Sequence, residues 1–235
     1  MSLTLLLKNF SVNCMCSSYN LKEFYSSCNS FSCFFETNVY LLYGEIDCGA
    51  WAFVNSISSN CVKKHFGAES IVVLNQQKLT AKEWSNMCCY LHCKTKHNIF
   101  NRSFKKSIIK NIKKYNYGMS YSQLFNLFEI PSEIQNKKVN RLGMYYPCYL
   151  AMLGLIKGYK IFATSWQGRY GFDSYIIDKI ADAVIHTNGI LLVPTDKQNI
   201  FKERYVKMNM VDLFDDYRIR EKYKDQLTQD ETGDV

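Results

Sequence analysis

The chain has 235 residues, 47% hydrophobic and 21% charged, with a formal net charge of +8, figures that suit one large α/β domain, or one domain with a small inserted subdomain, around an ordinary packed core, with nothing that forces disorder. No apolar run approaches the roughly 18 residues of a membrane-spanning helix; the longest is Tyr149 to Ile156, and Met1-Ser2-Leu3-Thr4-Leu5-Leu6-Leu7 is too short and lacks the basic leader of a secretory signal. The ten cysteines fall irregularly in apolar company, as in Ser32-Cys33-Phe34-Phe35 and Met87-Cys88-Cys89-Tyr90, the pattern expected of reduced thiols in a cytosolic protein.

Leu3 to Val12 reads as a strand, with Leu3, Leu5 and Leu7 on one face and a bulge near Asn9. Asn13 to Ser32 is a polar stretch rich in Ser, Cys and Tyr. Glu36-Thr37-Asn38 is a turn into the strand Val39 to Tyr43, and Ala52 to Ser58 is the first helix. Short strands follow at Ile71 to Leu74 and Met87 to Leu91. From Arg102 to Tyr115 the apolar residues Phe104, Ile108, Ile109 and Ile112 recur at helical spacing, with Lys105, Lys106, Lys110, Lys113 and Lys114 on the remaining surface. Ser120 caps a second helix that Pro131 closes, and Pro147 opens a third through Ile156. Lys160 to Thr164 is a strand. Tyr175 to His186 is a helix with Ile176, Ile177, Ile180, Ala183 and Val184 as its core face, and Gly189 is expected at the left-handed position behind it. Ile190 to Val193 is a buried strand stopped by Pro194, Tyr205 to Met210 a late strand, and Asp215 to Lys224 a final helix.

The positive excess is concentrated between Lys94 and Lys114, while Asp225 to Asp234 is acidic. Such a basic block can face nucleic acid, anionic lipid or an acidic partner; the lysines also occupy the phases left over by the apolar stripe, as an ordinary solvated face would. Cys88, Cys89, His92, Cys93 and His97 are of types that bind zinc, but no second, distant ligand pair accompanies them. His65 and His186 stand alone, without the partners a hydrolytic triad needs.

One stretch carries a chemical signature. Between the strand Val39 to Tyr43 and the first helix runs Gly44-Glu45-Ile46-Asp47-Cys48-Gly49-Ala50-Trp51, with the glycine spacing of a phosphate-binding loop, in which loop N–H groups and a helix start face an anion. Ala50 stands where that motif has lysine, and Trp51 where it has the hydroxyl that holds magnesium. Together with the order of elements, this resembles the ATP-binding cassette domain of transporters across nearly the whole chain.

The resemblance implies a P-loop NTPase-like α/β core over residues 1–235 with an inserted helical subdomain at about 102–158. It also implies weak ATP binding at Gly44, Glu45, Ile46, Asp47, Cys48, Gly49, Ala50 and Trp51, and leaves magnesium without its usual ligands. Cys93 falls where the family has a magnesium-reaching glutamine, Ser165 and Trp166 where it has the aspartate and catalytic glutamate, and Thr195 near the switch histidine. Of the signature peptide, placed on Arg141-Leu142-Gly143-Met144-Tyr145, only Gly143 matches, and Asp173 is placed at a dimer contact. The implied setting is cytoplasmic and peripheral to the membrane, with a permease and a second cassette as partners and no nucleic acid. The alternatives are a nucleotide-free structural or regulatory protein of the same fold and an ATPase with an unusual site in which Glu45, Asp47 or Asp196 replaces the missing carboxylates.

Overall fold

Two five-stranded sheets carry the fold, one antiparallel and one parallel. The computed structural model describes residues 2–17, 23–44, 48–57, 61–80, 83–84, 87–91, 102–165, 167, 174–196 and 203–221. The first sheet is built from β1 (Thr4–Ser17), β2 (Glu23–Glu36), β4 (Cys61–Phe66), β5 (Ile71–Leu74) and β6 (Gln77–Leu79). β1 is its hub, pairing with β2, β4 and β5.

The alternation expected in β1 is present: Leu3, Leu5 and Leu7 are buried. Asn9 takes a positive φ of 49°, and the pairing register shifts between Leu7 and Phe10 and again before Val12. A bulge of this kind changes the phase of the pleat, and Phe10, Val12 and Cys14 enter the same core as the leucines. The polar stretch Asn13 to Ser32 is corrected: the end of β1 and most of β2 occupy it, with Cys28 and Phe31 buried between outward-facing polar residues. β4 was likewise unforeseen. Asn75 and Gln76, both with positive φ, turn β5 into β6, the conformation a two-residue hairpin loop requires.

The second sheet is made of β3 (Val39–Tyr43), β7 (Cys88–Leu91), β8 (Ile161–Thr164), β9 (Ile190–Thr195) and β10 (Val206–Asn209), in the order β10-β3-β9-β8-β7, all parallel. Helix α1 (Ala50–Ser56) lies between the sheets. Phe53 is its anchor, with ring centroids 5.4 Å from Phe10, 5.3 Å from Phe31 and 6.3 Å from Phe35. The two faces of the parallel sheet serve two cores: Tyr40, Leu42, Ile161, Ala163, Ile190 and Leu192 join α1 and the antiparallel sheet. Val39, Leu41, Phe162, Leu191 and Val193 pack under α2 (Phe104–Tyr115), α3 (Tyr121–Leu127), α4 (Ser132–Gln135), α5 (Tyr146–Ile156) and α6 (Ser174–His186). The cap read from sequence is in place, Ser120 forming a capping box with Gln123, and Ser103, which was not singled out from sequence, caps α2 by accepting from Lys106 N. No helix among the described residues is long and apolar enough to cross a membrane.

Two expectations around β9 are corrected. Gly189 is not the left-handed residue after α6; Asn188 is, with φ 56°. Gly189 instead allows a close approach, because a Cβ there would lie 2.8 Å from Val184 Cγ1 and 2.9 Å from Lys160 O. Pro194 does not stop the strand, which continues to Thr195. Pro194 O accepts from Gln167 N at 2.8 Å. In a parallel ladder the N of the same residue faces the same side, here past the Ala163–Leu192 pair where β8 stops pairing, so the missing N–H costs no ladder bond. The helix begins at Ala50 rather than Ala52. A short α7 (Met210–Leu213) follows β10, and of the expected final helix 217–221 is helical, the remainder lying outside the described residues.

Among the described residues of the helical face one charge is buried. Lys179 of α6, 5% exposed, bonds the exposed carboxylate of Glu129, sits 3.4 Å from Glu129 O and lies 4.3 Å from the Tyr175 ring centroid. Burial pulls its pKa down, but the bonds to Glu129 and Tyr175 outweigh that and hold it above the ordinary lysine value. A raised folded-state pKa contributes stability below the unfolded value of about 10.4 and loses it as pH rises through the folded value. Glu129→Gln is therefore expected to cost about 1 kcal/mol near neutral pH, discounted for the exposed carboxylate, or roughly 2–4 °C in Tm, with the gap narrowing once pH passes the unfolded lysine value of about 10.4. Paired melts at pH 7 and pH 11 check it; an equal gap at both would refute the ionic contribution.

Candidate functional site

Because β3, β9, β8 and β7 are parallel, their C-terminal ends lie along one sheet edge. The helix after β3 covers one face of the sheet and the helix after β8 the other, so these two strands, on either side of β9, hand on to opposite faces, the arrangement at which open α/β sheets bind ligands. The ends of β3, β8 and β9, read from sequence as chemical positions, are thereby brought together, and the structure supplies an order that spacing did not: β9, later in the chain than β3 and β8, lies between them.

The candidate loop starts at Gly44, whose N–H donates to Thr195 O at 3.2 Å. A Cβ on Gly44 would lie 2.5 Å from Cys48 Sγ. Gly49, at φ 91° and ψ −11°, immediately precedes α1, and a Cβ on it would lie 2.9 Å from Cys28 Sγ and 3.1 Å from Cys28 Cα of β2. Thiols thus pack against both glycines, and a positive φ at each, 154° at Gly44, adds to the demand for glycine. Burial pushes the Cys28 thiol well above its ordinary pKa, with Cys48 adding to the shift. Cys48 and Ala50 are buried, and Trp51 is half-buried with its carbonyl accepting from Asn55 Nδ2 at 3.0 Å. Glu45, Ile46 and Asp47 lie outside the described residues.

Across the same edge runs a strap of neutral groups. Thr195 Oγ1 donates to Gln167 O at 2.7 Å, and Gln167 Nε2 donates to Ser165 O at 2.7 Å. With the Gly44–Thr195 and Gln167–Pro194 bonds, these join the ends of β3, β9 and β8 through backbone and amide contacts. Thr195 and Gln167 are buried. Gln167 was not singled out from sequence: nothing in its local pattern marks it, and only the placement of β9 beside β8 brings it to the edge. Thr164 Oγ1, at the end of β8, is buried without a hydrogen-bond partner.

No family model and no curated protein matches the sequence. Among solved structures, the chain is similar to a nucleotide-free ATP-binding cassette from an ABC transporter, with TM-score 0.58 and 15% identity, covering 89% of this chain and 88% of that one. The chain has the ATP-binding cassette fold. It is also similar to a bacterial ABC transporter cassette whose structure is described as dimeric (TM-score 0.55, 16% identity, 86% of this chain and 94% of that one). A third similar structure is cbiO1 from Clostridium perfringens, part of the cbiONQ ABC transporter complex (TM-score 0.54, 9% identity, 83% and 79%).

The side chains described at the assigned positions, Ala50, Trp51, Ser165 and Thr195, include no carboxylate, and Thr195 is committed to the strap. They do not fit a magnesium ion, which takes carboxylate and phosphate oxygens in an octahedral set. Asp196 is exposed beside the strap. Cys93, Trp166 and Asp173 lie outside the described residues, and Gly143 is exposed with φ 54°. Of the thiol–imidazole cluster, His92, Cys93 and His97 also lie outside them. Cys88 and Cys89 fall on opposite faces of β7, facing the carbonyls of Trp84 and Leu150, and burial pushes Cys89 up to about 12. Such thiols are protonated near neutral pH. Among the described residues no group of three metal-ligating side chains occurs.

Proposed function

We propose that this protein is a cassette subunit of a membrane transport system that binds ATP weakly at Gly44 to Trp51 and does not hydrolyse it. The carrying observation is the contrast at one sheet edge: β3 ends before Gly44 and α1 starts after Gly49, the order of elements in a phosphate cradle, while buried Ala50 and the Thr195–Gln167 bond occupy positions where the resemblance expects charge-handling groups. Loop and helix N–H groups can attract an anion, but phosphoryl transfer also needs a cation on the β- and γ-phosphates and a positioned water, and Ala50 and Ser165 supply neither. In this reading the segment at about 102–158 is the helical subdomain. The protein is cytoplasmic and peripheral to the membrane, its partners are a permease and a second cassette, like or unlike, and any hydrolysis belongs to that second cassette. The thiol packing of Gly44 and Gly49 favours the second reading, a nucleotide-free regulatory protein of the same fold.

Restoring the missing groups discriminates between them. In Ala50→Lys/Trp51→Thr, affinity for ATP with magnesium is expected to rise by about 10- to 100-fold, the equivalent of one charge-assisted hydrogen bond of roughly 1.5–3 kcal/mol, with hydrolysis still at background. Trp51→Thr alone serves if the buried lysine prevents folding. Equilibrium binding and thermal shift provide the readout. If neither the folded wild type nor a folded variant is stabilised by ATP, nucleotide binding is refuted and the regulatory reading stands.

A further inference from the structure

The surface of α2 is charged in a way that nothing in the nucleotide site explains. From Arg102 to Tyr159 the only acidic residues are Glu129 and Glu133, and Glu129 is bound to Lys179. Along the 12 residues of α2, Lys106, Lys110, Lys113 and Lys114 fall within about 100° of arc on a rod about 18 Å long. All four are exposed, and among the described residues none of them has an ion-pair partner. Phe104 N donates to Lys137 O at 2.8 Å and Val139 N to Arg102 O at 3.1 Å, which brings exposed Arg102, Lys137 and Arg141 beside the start of the helix.

The apolar face of α2 is committed to the core through Phe104 and Ile108, both fully buried, so the helix cannot roll over and insert that face elsewhere. What it offers is a line of point charges. Sequence-specific reading of double-stranded nucleic acid would call for bidentate side chains on base edges, and single strands for free aromatic faces on which bases stack. Here Lys105 lies over the Tyr121 ring at 4.6 Å and Lys114 over the Tyr115 ring at 5.1 Å, so the chain's own cations cover the nearby rings. Lysine rather than arginine dominates the stripe, giving charge without the bidentate geometry that selects one phosphate group. A flat, fluid array of anionic headgroups needs only such charge.

We propose that the α2 stripe docks the protein on anionic phospholipid membranes, independently of any protein partner. The inference deepens the transport reading by adding a direct lipid contact, and rests on that reading only for the presence of a membrane nearby. Each lysine near an anionic surface contributes about fivefold in partitioning, an effect that weakens as salt shortens the screening length.

The test is co-sedimentation of the full chain with vesicles of phosphatidylcholine alone or with about 30% phosphatidylglycerol, free of any permease, at about 50 and 200 mM salt, conditions that span the screening range. Binding is expected only to the anionic vesicles and mainly at low salt. Lys106→Gln/Lys110→Gln/Lys113→Gln/Lys114→Gln should lose about a hundredfold or more with an unchanged Tm. A control replacing exposed Lys8, Lys78 and Lys207 by Gln should bind within a few-fold of wild type. Absence of wild-type binding, equal binding by the stripe variant, or equal losses in both variants would overturn the assignment, as would tighter binding of a single-stranded oligonucleotide that displaces the vesicles. Because neither ATP nor permease is present, a negative result leaves the transport reading untouched, and failure of that reading leaves vesicle binding measurable.

Discussion

Phe53→Ala is expected to destabilise the protein by about 3–5 kcal/mol, a fall of roughly 6–20 °C in Tm. Phe53 is fully buried on the helix between the two sheets and contacts rings from β1 and β2: Phe10 and Phe31 edge-on, Phe35 stacked. Removing its ring leaves a cavity bounded by two sheets and a helix, none of which can move inward without breaking a ladder, so little of the loss is recovered by relaxation. Phe34→Ala supplies the contrast. Phe34 is 52% exposed on the outer face of the antiparallel sheet, and its truncation is expected to cost no more than about 0.5 kcal/mol. Urea titrations of the three proteins test the pair; equal losses would mean that α1 does not hold the sheets together.

The parallel half of the fold was legible because fully buried strands are short, continuous apolar runs. Ile161 to Thr164 and Ile190 to Val193 are such runs, and the helical pattern from Tyr175 to His186 lies between them. Val39 to Tyr43 was marked by its turn and the glycine that follows. The antiparallel half was legible only in β1 and β5, which carry Leu, Ile and Val. β2 was hidden because its alternation is written in Ser, Cys and Asn, residues with little hydrophobic contrast, and its burial depends on lying beside β1 and beneath α1. β9 was cut one turn of the pleat short at Pro194, since a proline ends a strand only where its N–H is needed, and that depends on how far β8 extends.

At the site, the spacing of Gly44 and Gly49 and the replacements at Ala50 and Ser165 could be read in one dimension. The reason each glycine is glycine could not. Beside the positive φ of each, it lies in Cys48, four residues along from Gly44, and in Cys28, 21 positions upstream of Gly49 on β2. The strap through Thr195, Gln167 and Ser165 was equally inaccessible, because it exists only once β9 has entered between β3 and β8. A phosphate-loop pattern thus conveys backbone shape, whereas the groups that fill the surrounding space come from strand order.

Gly49→Ala is expected to cost about 2–4 kcal/mol, from two separable sources. Holding a residue with a Cβ at φ 91° costs roughly 1–2 kcal/mol; the remainder comes from forcing that Cβ against Cys28 Sγ at 2.9 Å and Cys28 Cα at 3.1 Å. Gly158 isolates the first source: its φ is 85° and no heavy atom lies within 4 Å of where a Cβ would be, so Gly158→Ala should lose only the conformational part. Cys28→Ala isolates the second: it removes the sulfur but leaves the backbone contact, and in the double variant with Gly49→Ala the combined loss should fall short of the sum of the single losses by about 0.5–1.5 kcal/mol, the coupling expected of neighbours in contact. Denaturant midpoints for the single variants and the double mutant measure both parts. Strict additivity would mean that β2 does not press on the loop, and equal costs at Gly49 and Gly158 would mean that backbone conformation alone selects glycine at the entrance to α1.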